Sequence, residues 1–132
     1  MKYFILTVFV LSISGCEEKS IYTQNDLYAE WEWKATKMLN GTVYSSAQQL
    51  DSTYYYNFKQ NGVLEIKDIN KVVKYEKQFK IIQGGQSHGT IMYNDVNNSE
   101  LHFSFSIDKG ELEISNMEGF IVWINLFKAV AH

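Results

Sequence analysis

The sequence predicts an all-β domain, an antiparallel up-and-down meander of about eight strands that closes into a barrel. Three observations carry this. Apolar residues recur at every second position over short runs, most plainly in Leu101, Phe103, Phe105 and Ile107 against His102, Ser104 and Ser106. That is the period of a half-buried strand. Turn residues separate the runs, at Asn40-Gly41, Asn61-Gly62 and Lys109-Gly110. Proline, the commonest strand breaker, is absent from all 132 residues. Closure into a barrel removes the exposed edges that a meander leaves, and an open sandwich is the alternative. The apolar fraction of 45% suits one domain with one packed core.

The N-terminus reads as a leader. Met1-Lys2 is a short positive start, and Tyr3 to Ile13 is an almost unbroken apolar run, shorter than the roughly 20 residues a spanning helix needs. Ser14 and Gly15 are small, as a cleavage site requires. Ile13-Ser14-Gly15-Cys16 resembles a bacterial lipobox. The resemblance implies cleavage after Gly15, a diacylglyceryl thioether on Cys16 and an acyl chain such as palmitate on the new amine, enough together for stable anchoring. Residues 1–15 are therefore expected to be a lipoprotein signal peptide, 16–26 a lipidated tether and 27–130 the barrel domain. Glu17-Glu18-Lys19 resembles the export signal of surface lipoproteins, or is a solvated tether. The expected location is the bacterial cell envelope, as an outer-membrane lipoprotein facing the periplasm or the surface. Cys16 is the only cysteine, so neither an internal disulfide nor a cysteine zinc site is expected. The net charge of -3, one unit more negative once Lys2 leaves with the leader, comes with no basic patch and excludes nucleic acid as a partner.

The strands follow in order. Leu27 to Lys37 places Trp31, Trp33 and Ala35 on one face and Glu30, Glu32 and Lys34 on the other. Thr42 to Ser52 reads as a long loop with a helical turn around Ser46 to Leu50. Thr53 to Lys59 puts Tyr54, Tyr56 and Phe58 on one face. A three-residue loop with Gly62 left-handed then pairs Phe58 with Leu64 and Tyr56 with Ile66, whereas a two-residue turn would mix the faces. After a turn at Asn70-Lys71, Val73, Tyr75, Phe79 and Ile81 share a face that only Lys77 interrupts. Gln83 to Gly89 reads as a flexible loop, and Thr90 to Val96 as a strand with Ile91 and Tyr93 on one face. Leu101 to Ile107, Glu111 to Ser115 and Phe120 to Ala129 complete the set.

Leu27-Tyr28-Ala29-Glu30-Trp31-Glu32-Trp33, Tyr56-Asn57-Phe58-Lys59-Gln60-Asn61-Gly62, Phe79-Lys80-Ile81, Leu112-Glu113-Ile114 and the terminal Phe127-Lys128, in that order, resemble the lipocalin-like domains of small bacterial lipoproteins, notably from Bacteroidetes. Ala29 stands where a lipocalin first strand has glycine. The resemblance implies that Trp31 plugs the closed end of the barrel and that Lys128 is the cation over its ring.

No catalytic constellation is found, and an enzyme is not expected. His88, His102 and His132 are scattered, so neither a metal site nor a cofactor is expected. There is no nucleophile elbow and no phosphate-cradling loop. The aromatics carry the functional expectation. Tyr54, Tyr56, Phe58, Tyr75, Phe103 and Phe105 fall on inward faces and are the candidate lining for a small hydrophobic ligand, with the Gln83 to Gly89 loop as the mouth. The alternative is a filled barrel that binds an envelope protein as accessory subunit or inhibitor. Tyr55 and the outer face of Phe120 to Phe127 would then be the contact.

Overall fold

The computed structural model of the chain describes residues 25–94, 97–116 and 122–130. The signal segment, Cys16, Phe120, Ile121 and His132 lie outside the described residues. Nine strands follow one another: β1 (Glu30–Met38), β2 (Val43–Ser46), β3 (Tyr55–Phe58), β4 (Val63–Lys67), β5 (Val73–Gly84), β6 (His88–Asn94), β7 (Glu100–Asp108), β8 (Glu111–Asn116) and β9 (Trp123–Ala129), with a helical turn α1 (Ala47–Leu50) after β2. All pairings are antiparallel. β3 to β9 pair in sequence order, and β9 returns to β1, matching Trp31 with Ala129 and Met38 with Trp123. Eight strands, β1 and β3 to β9, thus close the expected barrel rather than a sandwich.

The segment expected as a long loop contains its helical turn and also a strand. β2 and β3 lie end to end along one edge of β1: Ala35, Thr36 and Lys37 face β2, and Glu30, Trp31 and Glu32 face β3. The detour through α1 is closed by local chemistry. The Ser46 hydroxyl accepts the Gln49 N–H at 3.1 Å, and Asp51 ends the turn in the left-handed conformation. Trp33 spans the gap, donating its N–H to the Tyr54 carbonyl and accepting the Thr53 hydroxyl at 2.6 Å.

The β3–β4 register is the one the apolar pattern requires. Phe58 lies opposite Leu64 and Tyr56 opposite Ile66, with Gly62 at φ 86°. Phe58 and Leu64 are each 1% exposed, so a slip by one residue would turn both into water.

Strand direction gives the barrel two poles. At the first, the chain enters and seals it. Asn25, which the sequence places in a linker, is buried; its Oδ1 accepts the Leu27 N–H at 2.8 Å and its Nδ2 donates to the Gly85 carbonyl at 2.6 Å. The Asp26 N–H donates to the Gln86 carbonyl, and the Ser87 hydroxyl to the Asp26 carboxylate at 2.8 Å. Leu27 is completely buried beneath Trp31, whose Nε1 donates to the Leu27 carbonyl at 3.0 Å. The expected flexible loop at Gln83 to Gly89 is therefore corrected. β5 runs on to Gly84, β6 starts at His88, and Gly84 pairs with Gly89. A side chain on Gly84 would strike the His88 carbonyl and the Gly89 Cα, so glycine here permits a tight crossing rather than mobility. This pole is closed, and the mouth lies opposite.

The core runs up from the seal: Leu27, Trp31, Trp33, Phe58, Leu64, Phe79, Ile91, Phe105, Leu112, Ile114 and Phe127 are buried. Phe58 meets Phe79 edge to face at 5.2 Å between centroids, a preferred arrangement for rings.

Candidate functional site

Among the described residues, the pole opposite the seal is built from the β1–β2 hairpin, α1, the β4–β5 turn and the end of the β6–β7 turn. Its cavity, about 640 Å³, is lined by Thr53, Tyr54, Tyr56, Ile66, Ile69, Tyr75 and the lysines Lys67, Lys74 and Lys77, among others. Tyr56 also lines a second, inner void of about 70 Å³ together with Phe58, Leu64, Ile91, Tyr93, Phe103, Ile114, Asn125 and Phe127. The inner space is enough for about two water molecules. Tyr56 is therefore the floor between an open mouth and a nearly filled interior. Its ring is held against Phe127 at 4.9 Å and Tyr54 at 5.5 Å. The turn under the mouth is tied by Asp68, whose Oδ1 accepts the N–H groups of Asn70 and Val72 at 2.9 and 3.0 Å.

The six expected lining residues separate. Tyr54, Tyr56 and Tyr75 reach the mouth. Phe58 and Phe103 line the inner void. Phe105, 3% exposed, is packed into the core. Tyr75 is 66% exposed, because the start of β5 outruns the barrel and its alternation no longer means inside. Lys128 is a correction too. Phe127 is buried and Lys128 exposed, lying across from Glu32 and Glu111 on the outer face. Strand parity sends it away from Trp31, which is buried without it. Of the expected protein contact, Tyr55 carries Lys71 over its ring at 5.1 Å. His88 starts β6 at the closed pole, and His102 sits beside Glu100 at 3.5 Å.

Two inward groups were not among the candidates. Tyr93 stacks on Phe103 at 5.0 Å, and the Lys77 ammonium stands 4.7 Å from the Tyr93 ring centroid. Burial raises the phenol pKa of Tyr54 and Tyr56 well above the ordinary range, each pushed further by a neighbouring tyrosine, and burial raises Tyr93 as well. All three therefore stay neutral hydroxyls at physiological pH and remain proton donors.

A groove of similar size, about 670 Å³, lies by the β3–β4 turn. Its walls mix Gln60, Asn61, Gln78, Lys80, Asn94 and Glu100 with Val63, Phe79, Met92 and Tyr93, a more polar lining than that of the mouth.

The chain matches no family model, no curated protein and no solved structure.

Outside the mouth, Glu30 is 8% exposed and holds two lysines, Lys67 at 2.9 Å and Lys71 at 3.6 Å. Burial pushes its carboxyl up, but the hydrogen bond and charge of Lys67, joined by Lys71, outweigh this and hold its pKa below the ordinary value of 4.5. A depressed folded pKa gives stability that is present above the unfolded value and lost as pH falls through the folded one. Glu30→Gln is expected to cost about 1–2 kcal/mol at pH 7. The difference from the unsubstituted chain should shrink as the pH falls below 4.5 and disappear once the carboxyl is protonated, as thermal melts across the acid range will show.

Proposed function

We propose that this protein is a lipid-anchored lipoprotein of the bacterial cell envelope, held through Cys16, whose lipocalin-like barrel binds a small hydrophobic ligand in the mouth at the open pole and does no chemistry on it. One observation carries the binding: an open cavity of about 640 Å³ with tyrosine and isoleucine walls, floored by Tyr56. Sites for small ligands have this size and this largely apolar lining with a few polar groups. The lipobox-like Ile13-Ser14-Gly15-Cys16 supports the anchor.

The test is native mass spectrometry of the chain from Glu17 onward, which keeps every described residue, purified from its own host without detergent. The expected result is a reproducible small-molecule adduct that disappears on denaturation. A clean apo mass, unchanged after incubation with a lipid extract, would count against the ligand.

A second reading rests on the rim. Among the described residues, every exposed large apolar side chain except Ile82 gathers at the open pole: Leu39, Val43 and Tyr44 on the hairpin, Leu50 on α1, and Ile69, Val72, Val73 and Tyr75 around the β4–β5 turn. An apolar patch of this kind favours a protein contact, with the protein acting as accessory subunit or inhibitor. Leu39→Ser with Tyr44→Ser separates the readings: a lost phenotype with an intact adduct would favour the partner.

A further inference from the structure

Three lysines line the mouth, and they are not equivalent. The Lys67 ammonium is held by Glu30 at 2.9 Å and that of Lys74 by Asp68 at 3.7 Å. Lys77 is different. It occupies an inward position of β5, two residues before the buried Phe79, and pairs across the strands with buried Leu64. Its ammonium rests on the Tyr93 ring, and among the described residues no carboxylate forms an ion pair with it. An ammonium against apolar walls is costly unless something offsets its charge, and the face of one ring offsets only part of it. The phenols around it are neutral and supply no negative charge.

Resting on the ligand reading above, we infer that the ligand is an anionic amphiphile: an apolar chain ending in an acid group such as a carboxylate, with the head on the Lys77 ammonium and the hydroxyls of Tyr54 and Tyr56, and the chain leading out past Ile66, Ile69 and Tyr75. The acid head supplies the counter-charge that no described carboxylate gives Lys77. Tyr54 and Tyr56, whose ring centroids stand 5.5 Å apart in the mouth wall, donate hydrogen bonds to the same oxygens. The apolar rim covers the chain where it leaves the barrel.

The test uses the chain from Glu17 onward, a neutral fluorophore (N-phenyl-1-naphthylamine) and two competitors of equal chain length, dodecanoate and 1-dodecanol, each below its aggregation threshold. Dodecanoate is expected to displace the fluorophore at concentrations at least about tenfold lower than dodecanol, the scale of one charge-assisted contact. Lys77→Met should erase that preference, read as the ratio of the two potencies within the same variant. Lys77→Arg should keep it, and circular dichroism checks that both variants fold. Equal potency of acid and alcohol, or a preference that survives Lys77→Met, overturns the anionic head and leaves the apolar pocket standing. No binding of any of the three probes overturns the pocket, and this inference with it.

Discussion

Trp31→Ala is expected to destabilise the domain by about 3–5 kcal/mol, the cost of emptying a buried large aromatic site. For a domain of this size that lowers the thermal midpoint by roughly 10–20 °C. The ring is 2% exposed, and its Nε1 holds the Leu27 carbonyl. Its loss therefore removes core volume and also the post on which the entering chain is seated. With Leu27 loosened, the hydrogen bonds from Asn25 to Gly85 and from Asp26 to Gln86 lose their support, and hydrogen exchange at the amides of Asp26 and Ile107 should rise with them. Lys128→Ala is the control. If the lysine lay over the indole it would share the loss. Because it is exposed on the outer face, the change should stay within about 0.5 kcal/mol. A large effect at Lys128 would contradict the parity of β9.

Tyr56→Ala is expected to weaken binding of a neutral apolar probe at the mouth by at least about tenfold, the equivalent of losing about 1.4 kcal/mol of contact. The ring is the floor, and without it the mouth opens into the inner void and a ligand loses the surface it rests on. Stability should fall as well, by about 2–3 kcal/mol, since Tyr54, Phe58 and Phe127 all lean on this ring. Titrations therefore belong at low temperature, where the variant remains folded. Tyr56→Phe keeps the ring and should bind the neutral probe within about twofold of the unsubstituted chain. Unchanged binding in Tyr56→Ala would place the ligand away from this floor.

The barrel was legible because its evidence is local. Period-two alternation and the three-residue loop at Gly62 fix Phe58 against Leu64 without knowledge of any distant contact. The mouth was not legible, because which pole is closed depends on a segment some sixty residues away in sequence: Asn25 reaching Gly85. A Gly-rich stretch looks mobile until that partner is seen. Tyr75 misled for a related reason. Alternation reports which face a side chain takes, not whether the barrel still surrounds it at that height. Two signals were present and unused. Lys77 is the one break in an apolar face, and a charge at an inward position marks a place where something polar must be met. Lys128 follows buried Phe127, and parity alone sends it outward.

The strand count has a consequence for how the molecule stands on a membrane. An up-and-down barrel with an even number of walls brings the chain back to the pole from which it started. Asn25 enters at the sealed pole, and the Val130 N–H donates to the Glu30 carbonyl beside it at 3.0 Å. With a lipid on Cys16, the nine steps of chain from Cys16 to Asn25 extend at most roughly 30 Å, and they attach to the floor of the cup rather than to its lip. On the proposed anchoring through Cys16, the tether would join the sealed pole and leave the opening free to face away from the leaflet. The cup would be filled from the aqueous side or by another protein, not by drawing cargo directly from the lipid beneath it.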